Sequence, residues 1–446
     1  MDIAVIGTGY VGLVSGVCLA SKGHKVTCFD KNKSVIGTLE QGKSHIHESG
    51  LEALMKSSRE CLSFEYLDSS SESKLQSFDA VIVAVGTPTN NGKTDLGQVE
   101  AVAHLLSRVI KSSKNYISVI IKSTVIPGTT DTLVKNIIQN NSGKLLGEFG
   151  LGMNPEFLRE GNAIGDFLNA DRIVLGFEDC LTLDVLRKIY EPWECKKIEV
   201  NSRSAEMMKY VNNTLLATLI SSVNEYSNIA RGIGNIDFEQ VMNGVHLDHR
   251  WTPLSADGQK VFPKILDYLK PGCGYGGSCF PKDVMALSAL ANDKLMPSRI
   301  IDAVIDVNDN QPNVMVRILK TKVGVISNKR VLVLGLAFKP ETDDVRESVS
   351  LKLLKLLNDE VVSLSAHDPI AIDNTRQQLG SSVKVEYVQD WRASISNNDI
   401  IIIATNWGIY ESIIDSKDML IGKFVFDTRS LFDAKTFPGA TYLSIN

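Results

Sequence analysis

The stretch IAVIGTGYVG, residues 3–12, decides the fold of the first part of the chain. A short apolar strand is followed by three glycines in the G-x-G-x-x-G spacing that joins a strand to a helix. The first glycine permits a tight turn, the second lets a pyrophosphate approach the backbone, and the third allows the helix to pack closely on the strand. The helix N-terminus attracts the anion. The motif predicts a dinucleotide site that includes Gly7, Gly9, Tyr10, Val11 and Gly12.

The next predicted strand, KVTCF (residues 25–29), supports this interpretation because it ends at Asp30, about eighteen residues past Gly12. A carboxylate at that position bonds the ribose 2′-hydroxyl of NAD and repels the 2′-phosphate of NADP. The alternative is an ordinary strand-to-helix turn of an α/β protein. The combination of features favours NAD as the cofactor.

Short apolar runs and longer helical patterns alternate through the first part of the chain and again from residue 329 onward. Near-continuous apolar strands separated by helices indicate parallel sheets covered on both faces. Between the two alternations, residues 201–232 read as one long helix that stops at glycine. We predict an α/β protein with two Rossmann-like lobes, joined by the long helix and a helical middle domain. The predicted domains are residues 1–200, 201–315 and 316–446.

Composition excludes several classes of protein. The chain has 446 residues, with 47 basic against 52 acidic side chains and no long run of either sign, so we expect no nucleic-acid partner. Seven scattered cysteines, never spaced C-x-x-C, argue against a disulfide framework or a zinc ribbon. The sequence has neither a signal-peptide pattern nor an apolar run of membrane-spanning length. We therefore expect a cytoplasmic protein with no membrane partner.

The run GCGYGGSCFPKD, residues 272–283, is dense in glycine and carries two cysteines. A helix is predicted after Pro281, so Cys279 lies just before a helix N-terminus, where the dipole and Lys282 favour the thiolate. Cys279 is thus a candidate nucleophile, with Asp283 one turn further along. A redox pair with Cys273 is the alternative, although a C-x-x-C spacing is more usual for such a pair.

Polar residues at two other strand ends, Thr87 and Thr124, are candidates for contacts to cofactor or substrate, because ligands of such sheets bind at the carboxyl ends of the strands. Helix capping by threonine explains the pattern equally well. The histidine pairs HIH and HLDH lack further ligands at zinc-site spacing, so we expect no metal.

Two pairs of polar residues are spaced four apart. Glu156 and Glu160 in NPEFLREG share one face if the segment is helical, which suits general base work or, alternatively, a solvated helix face. Lys209 and Asn213 lie on the long helix, where they could stabilise an oxyanion; a lysine that only extends towards water is the alternative.

The motifs GTGYVG, NPEFLREG, GYGGSCFPKD and GLAFKPETDDVRES, in this order, resemble the UDP-glucose/GDP-mannose dehydrogenase family over essentially the whole chain. SCFPKD is more similar to the UDP-glucose branch. The resemblance implies a two-step oxidation of UDP-glucose at C6 to UDP-glucuronate with two NAD, through a thiohemiacetal and a thioester on Cys279, in polysaccharide biosynthesis. The alternatives are another sugar nucleotide, such as GDP-mannose or a UDP-N-acetylhexosamine, and a non-catalytic NAD-binding sensor.

The resemblance also implies roles for individual residues, a UDP-sugar-binding C-terminal domain and a homodimer or higher homo-oligomer. The implied catalytic residues are Cys279, Lys209, Asp283, Glu156, Thr124 and Asn213. Further contacts to NAD are implied for Thr87, Thr124, Glu160, Lys282 and Arg346. Contacts to the sugar nucleotide are implied for Glu156, Phe157, Leu158, Arg159, Glu160, Lys209, Asn213, Tyr268, Leu269, Lys270, Gly272, Gly276 and Lys339.

Three segments depart from the family pattern. Val35 stands where the family usually has a basic residue after the ribose-binding aspartate. HIHESGL, residues 45–51, lacks the two prolines of the family segment. An insertion at residues 251–262 follows Arg250, the candidate for a contact to a partner subunit's substrate, and it leaves the preferred sugar open.

Overall fold

The computed structural model describes residues 1–90 and 92–445, which divide into two compact units, Met1–Asn212 and Asn213–Asn446. Each unit contains one large, mainly parallel sheet with helices packed against it. The predicted fold class, an α/β chain with two Rossmann-like sheets and a long helix between them in sequence, is confirmed. The three domain limits given above stay a prediction.

The first unit contains ten strands and eight complete helices within its described residues. The strands are β1 (Asp2–Ile6), β2 (Lys25–Asp30), β3 (Leu62–Tyr66), β4 (Ala80–Val83), β5 (Thr89–Asn90), β6 (Lys93–Thr94), β7 (Ser118–Ile121), β8 (Gly150–Met153), β9 (Arg172–Phe177) and β10 (Lys196–Asn201). The helices are α1 (Tyr10–Ser21), α2 (Lys33–Glu40), α3 (Leu51–Ser57), α4 (Ser71–Leu75), α5 (Gly97–Ser112), α6 (Lys135–Ser142), α7 (Ala163–Leu168) and α8 (Cys180–Ile189), with a π-helical turn at Thr129–Val134.

The large sheet of this unit has the order β10-β9-β8-β7-β4-β1-β2-β3, and β5 and β6 form a separate two-stranded hairpin. Its core strands are buried on both faces, as a parallel sheet between helices requires. Strand β9 differs from the expected parallel arrangement, because it pairs antiparallel with β8. Gly152 and Gly176 allow this close pairing: a Cβ on Gly152 would lie 2.8 Å from the Gly176 carbonyl oxygen, and a Cβ on Gly176 would lie 2.8 Å from that of Met153.

The second unit contains a parallel sheet of six strands. The strands are β11 (Arg330–Leu334), β12 (Ser363–His367), β13 (Glu386–Tyr387), β14 (Ile400–Ile403), β15 (Phe424–Asp427) and β16 (Thr441–Ser444). The sheet order is β13-β12-β11-β14-β15-β16, the 3-2-1-4-5-6 order of a Rossmann fold. A long helix, α9 (Ser202–Ile233), confirms the helix predicted at residues 201–232; its first turns belong to the first unit and the rest to the second.

The remaining helices all belong to the second unit. They are α10 (Phe238–His246), α11 (Phe280–Asp293), α12 (Arg299–Val323), α13 (Val349–Leu357), α14 (Ile372–Leu379), α15 (Trp391–Ile395) and α16 (Lys417–Leu420), with 3₁₀ turns at Lys264–Leu269, Gly408–Ser416 and Ala434–Thr436. In the part of the chain that the structure describes, no helix combines the length and the apolar character needed to cross a bilayer.

The insertion at residues 251–262 is anchored at its base and exposed at its tip. Thr252 is fully buried, and Trp251 packs against a cluster that includes Leu266 and Leu269. Beyond this base, Leu254 and Lys260 pair as an isolated antiparallel bridge. The insertion is therefore a short hairpin whose Trp251 packs beside Leu266 and Leu269.

Candidate active site

The turn after β1 has the geometry that a dinucleotide requires. Gly7 has φ +97°, and a Cβ on Gly12 would lie 1.9 Å from the Gly7 carbonyl oxygen, so both positions require glycine. A Cβ on Gly9, in contrast, would have no protein atom within 4 Å. Helix α1 has Gly9 at its N-cap and no side chain that caps its first N–H groups. The backbone is thus accessible to a pyrophosphate, and these residues fit NAD.

Asp30, at the end of β2, is held in place by the same turn. Its Oδ2 accepts hydrogen bonds from the backbone N–H and the hydroxyl of Thr8, both at 2.8 Å, and its Oδ1 accepts from the backbone N–H of Asn32 at 2.9 Å. The half-buried carboxylate is fixed at the strand end, as the ribose-binding role requires. Sequence reasoning missed Thr8, although a threonine inside the glycine motif was the available signal.

Asp368 follows β12 of the second sheet, as Asp30 ends β2 of the first, but its carboxylate is used differently. Its Oδ2 accepts from the N–H groups of Leu336 and Ala337, and its Oδ1 accepts from those of Ile370 and Ala371. Only 2% of Asp368 is exposed. This carboxylate therefore stabilises its own loops and has little surface left for a ligand.

Glu48 anchors HIHESGL, residues 45–51, the segment that lacks the two prolines of the family pattern. Its carboxylate accepts from the N–H of Ala163 at 2.7 Å and from that of Gly161 at 2.9 Å, and it is hydrogen bonded to the Tyr10 hydroxyl. Burial, together with the nearby Glu48 carboxylate, raises the pKa of Tyr10 above its usual range. Sequence reasoning did not identify Glu48, although the glutamate of the family segment is retained here.

The segment NPEFLREG has no regular secondary structure over residues 154–159, so Glu156 and Glu160 do not share a helix face. Glu156 is buried against Lys209: its Oε1 accepts from Lys209 Nζ at 2.8 Å, and its Oε2 accepts from the Leu158 N–H at 2.6 Å. Burial by itself would raise the pKa of Glu156, but the Lys209 ammonium, with smaller contributions from the Leu158 N–H and the Lys122 ammonium, holds this pKa below its usual value. The pair is a buried ion pair with a charged carboxylate.

Lys122, which sequence reasoning missed, lies at the end of β7, two residues before Thr124. Its buried ammonium donates to Asn154 Oδ1 at 2.7 Å. Burial lowers the pKa of Lys122 to about 8, Glu156 opposes this shift, and the Lys209 ammonium adds to it. Lys122 thus connects the segment that follows β7, which carries Thr124, with the loop that carries Glu156.

Glu206 is a second buried carboxylate near the Thr124 strand end that sequence reasoning missed. It lies on α9, and its two oxygens accept from the N–H groups of Gly128 at 2.6 Å and Thr130 at 2.8 Å. Burial raises the pKa of Glu206 to about 7 despite these hydrogen bonds. Glu206 therefore holds the turn that follows Thr124.

Other predicted residues of the first unit have partners within that unit. The Thr87 hydroxyl donates to the Thr124 carbonyl at 2.8 Å. The Phe157 ring contacts the Arg172 guanidinium, whose carbon lies 3.9 Å from the ring centroid. The Arg159 side chain forms two hydrogen bonds to the Asp166 carboxylate, at 2.9 and 2.6 Å, and its backbone N–H forms a third at 2.9 Å. The first of these contacts joins Thr87 and Thr124, which follow the neighbouring strands β4 and β7.

The second unit carries the candidate nucleophile. Cys279 is the N-cap residue of α11, and its Sγ lies 3.5 Å from the Ser278 hydroxyl oxygen. One turn along, the Asp283 carboxylate is fully buried; its Oδ2 accepts from Asn213 Nδ2 at 2.6 Å and its Oδ1 accepts from Lys282 Nζ at 2.5 Å. The sequence-predicted residues Cys279, Lys282, Asp283 and Asn213 are thus brought together around one helix N-terminus. Lys282, implied to contact NAD, is paired with Asp283 in this structure.

The glycine loop, residues 272–278, packs tightly on its own unit. A Cβ on Gly276 would lie 2.4 Å from the Glu347 carbonyl oxygen, and Gly277, with φ +86°, donates its N–H to the Arg346 carbonyl at 2.9 Å. Cys273 is fully buried in the core of the second unit. None of the seven cysteines forms a disulfide within the described residues, and the alternative of a Cys273–Cys279 pair is not observed.

Three basic side chains of the second unit with implied or candidate ligand roles, Arg346, Lys339 and Arg250, each have a neighbour in their own segment. The Arg346 side chain is 62% exposed and pairs with the Asp344 carboxylate at 2.8 Å. Lys339 Nζ lies 5.6 Å from the Phe338 ring centroid. Arg250, whose side chain is 87% exposed, pairs with Asp248 in the same loop at 2.5 Å. Among residues 1–90 and 92–445, no group of three or more His, Cys, Asp or Glu side chains is arranged to hold a metal ion.

Comparison with known proteins gives matches along nearly the whole chain. Residues 1–194 match the NAD binding domain of the UDP-glucose/GDP-mannose dehydrogenase family, residues 203–310 match its central domain, and residues 332–434 match its UDP binding domain.

Several proteins similar to this chain, including one of known structure, are named UDP-glucose dehydrogenases. The UDP-glucose 6-dehydrogenase TuaD of Bacillus subtilis is 37% identical, with 99% of this chain and 92% of that protein covered. The UDP-glucose 6-dehydrogenase AglM of Haloferax volcanii is 34% identical, with 97% of each covered. The structure of a UDP-glucose dehydrogenase from Pyrobaculum islandicum superposes with a TM-score of 0.87 at 36% identity, covering 100% of this chain and 97% of that one. The chain therefore belongs to the UDP-glucose/GDP-mannose dehydrogenase family and is an NAD-dependent dehydrogenase.

Proposed function

We propose that the protein oxidises the C6 alcohol of UDP-glucose to the carboxylate of UDP-glucuronate, through a thioester on Cys279. The observation that carries the proposal is the cluster at the start of α11, where Cys279 occupies the N-cap and the buried Asp283 carboxylate is held by Asn213 and Lys282. A helix N-terminus favours a thiolate, and a nearby carboxylate can exchange protons with reacting oxygens. The names of the relatives and of the Pyrobaculum structure support the choice of UDP-glucose.

The proposed reaction balances over two oxidations. Bound NAD supplies the hydride acceptor, and two NAD accept one hydride each per sugar. In the first oxidation C6 gives up a hydride and its hydroxyl gives up a proton to Asp283, which leaves an aldehyde. The Cys279 thiolate then adds to the aldehyde carbon, and the new oxyanion is stabilised by the Asn213 amide and the Lys209 ammonium.

Loss of a second hydride converts this thiohemiacetal to a thioester. Water then attacks the thioester carbon, the C–S bond breaks, and Cys279 is regenerated as the carboxylate product forms. We assign to Glu156 the removal of the water proton and to Thr124 the orientation of the water. The position of Glu156 supports this assignment, because its carboxylate lies 2.8 Å from the Lys209 ammonium that we assign to the oxyanion. The covalent bond keeps the reactive aldehyde from escaping.

The test is to incubate the purified protein with NAD and a panel of sugar nucleotides, and to measure NADH formed per sugar oxidised. We expect two NADH per UDP-glucose. Turnover of GDP-mannose or a UDP-N-acetylhexosamine in its place would reassign the substrate within the family, and the insertion packed beside Leu269 makes this panel necessary. The absence of turnover on every sugar nucleotide would leave a non-catalytic NAD-binding sensor and contradict the proposal.

Two cysteine variants test the mechanism. Cys279→Ser is expected to abolish uronate formation, because serine lacks the thiolate on which the thioester forms. The matched control is Cys180→Ser, since Cys180 is exposed and lies on α8 of the first unit. Uronate formation by Cys279→Ser at the wild-type rate would refute the covalent route.

We also propose, on the family resemblance, a homodimer or higher homo-oligomer, a cytoplasmic location and a role in polysaccharide biosynthesis. Sedimentation of the purified protein tests the first of these.

A further inference from the structure

Three buried side-chain amides hold the backbone of the glycine loop. The Gly272 N–H donates to Asn224 Oδ1 at 2.7 Å, and the Gly272 carbonyl accepts from Gln311 Nε2 at 2.8 Å. Three residues further on, the Tyr275 N–H donates to Asn308 Oδ1 at 2.8 Å, and the Tyr275 carbonyl accepts from Asn308 Nδ2 at 3.1 Å. We call Asn224, Asn308 and Gln311 the amide clamp.

The amide clamp is deeply buried and comes from two different helices, α9 and α12. Asn224 and Gln311 have no exposed surface, and Asn308 is 5% exposed. Burying amides is costly unless each is hydrogen bonded. Asn308 uses both ends of its amide on Tyr275, and Gln311 Oε1 also accepts from Asn228 Nδ2 at 3.1 Å, whereas Asn224 Nδ2 has no partner among the described residues. These hydrogen bonds hold the loop, which has no regular secondary structure of its own at residues 272–275. The clamp therefore defines the loop conformation with four hydrogen bonds.

The loop sequence is adapted to the clamp. Gly274 has φ +100°, and a Cβ at this position would lie 2.7 Å from Asn308 Oδ1, so any other residue would push the clamp away. On the opposite side, Gly276 approaches the Glu347 carbonyl, as described above. Glycine is thus required here for contact with protein groups on both sides of the loop.

We propose that Asn224, Asn308 and Gln311 are positioning residues for the sugar nucleotide: they hold the glycine loop in its binding conformation before the ligand arrives. This inference rests on the proposed function and on the family resemblance, which implies contacts to the sugar nucleotide for Tyr268, Leu269, Lys270, Gly272 and Gly276. A loop that is already ordered loses less conformational entropy on binding, so the ligand binds more tightly. Most residues implied to contact NAD lie in the first unit, and only Lys282 and Arg346 lie in the second, so NAD gains less than the sugar nucleotide from this ordering.

The test compares Asn308→Ala with Gln311→Ala. The first change removes both hydrogen bonds to Tyr275, whereas the second removes the one hydrogen bond to the Gly272 carbonyl. We expect the KM for UDP-glucose to rise about tenfold or more in Asn308→Ala and by less in Gln311→Ala, with the KM for NAD within about twofold of wild type in both. The matched control is Asn313→Ala, since Asn313 lies exposed on the same helix.

Hydrogen exchange of residues 270–279 without ligand provides a second readout. We expect faster exchange of this segment in Asn308→Ala and unchanged exchange in Asn313→Ala. Faster exchange with an unchanged KM for UDP-glucose would overturn the positioning role. Equal rises in the KM for UDP-glucose and for NAD would also overturn it, because they would indicate a general loss of structure.

A failure of the amide-clamp proposal can be distinguished from a failure of the proposed function. If the wild type oxidises a different sugar nucleotide, the same comparison of KM values is made with that substrate. If the wild type oxidises none, the proposed function fails, and calorimetric binding of UDP by wild type and Asn308→Ala decides the inference. Weaker UDP binding by Asn308→Ala supports the clamp; equal binding, or no binding by either protein, overturns it.

Discussion

Replacing Lys209 with methionine is expected to destabilise the protein at pH 8 by about 3–5 kcal/mol. Lys209 and Glu156 are 4% and 5% exposed in their side chains and 2.8 Å apart. Methionine fills similar space but leaves the Glu156 carboxylate buried without its ammonium partner. A buried charge that loses its partner carries a large desolvation cost, whereas the same change at an exposed pair costs little.

The effect should depend on pH with a defined sign. In the wild type, the pKa of Glu156 lies below its ordinary value of 4.5, so the stability from this group is present above pH 4.5 and is lost as pH falls through the folded-state pKa. In Lys209→Met, burial is expected to raise the pKa of Glu156 above 4.5. The folded variant then binds more protons than the unfolded chain, and its deficit should shrink as pH is lowered from 8 to 5.

The measurement is urea unfolding followed by circular dichroism at pH 8 and pH 5. With a urea dependence of about 1–3 kcal/mol/M, the expected loss lowers the midpoint by about 1 M or more at pH 8. The control is Lys74→Met, because the Lys74 side chain is 57% exposed and its pair with Glu65 should contribute at most about 1 kcal/mol. Lys209→Met/Glu156→Gln should recover much of the loss. A wild-type midpoint for Lys209→Met at pH 8 would refute the argument that this pair is desolvated.

Three further predictions use other parts of the molecule. Burial raises the pKa of Glu206 from 4.5 to about 7, so the folded protein holds a proton that the unfolded chain has lost. The free energy of unfolding should therefore fall by roughly 3 kcal/mol as pH rises from 4.5 to above 7. Thermal unfolding of Glu206→Gln should show a weaker dependence on pH. Gly9→Ala should leave the melting temperature unchanged, because its Cβ meets no protein atom, but should weaken NAD binding about tenfold or more. Gly12→Ala should also lower the melting temperature, because its Cβ would collide with the Gly7 carbonyl oxygen. Calorimetry measures the binding and thermal unfolding measures the stability. Replacing residues 255–259 with Asn-Gly should keep the fold, because Leu254 and Lys260 already pair across this turn, and a melting temperature lowered by more than about 5 °C would contradict that view.

Local sequence patterns were sufficient to predict the strands that consist of continuous apolar runs. The β-branched runs at β1, β4, β7 and β14 predicted buried parallel strands, since such residues suit a sheet covered on both faces. Strand β8, with the sequence GLGM, was missed because two of its four residues are glycines, and glycine has low strand propensity. Its glycines make sense only in the close antiparallel pairing with β9, which is a tertiary property.

The same limit applies to the candidate site. The motifs predicted that Cys279 and Asp283 lie at a helix start and Asp30 at a strand end, and the structure has them there, because helix starts and strand ends are local features; their roles stay a prediction. The Lys122–Asn154 hydrogen bond joins residues 32 positions apart, and the Gly272–Asn224 hydrogen bond joins residues 48 apart. Neither residue type signals its partner, since a lysine or an asparagine in a helix or at a strand end is usually solvated. Only the folded chain brings these groups together.

The two carboxylates at corresponding strand ends also limit how many cofactors one chain can hold. Asp30 keeps part of its surface exposed, whereas Asp368 is only 2% exposed and accepts from four backbone N–H groups, so NAD titration should saturate at one equivalent per chain although two Rossmann-like sheets are present. On the proposed function, the two NAD molecules of one turnover must then use this one site in succession. The sugar has to remain on the protein while NADH leaves and a fresh NAD enters, and a covalent bond to Cys279 would make that exchange possible without release of the half-oxidised product.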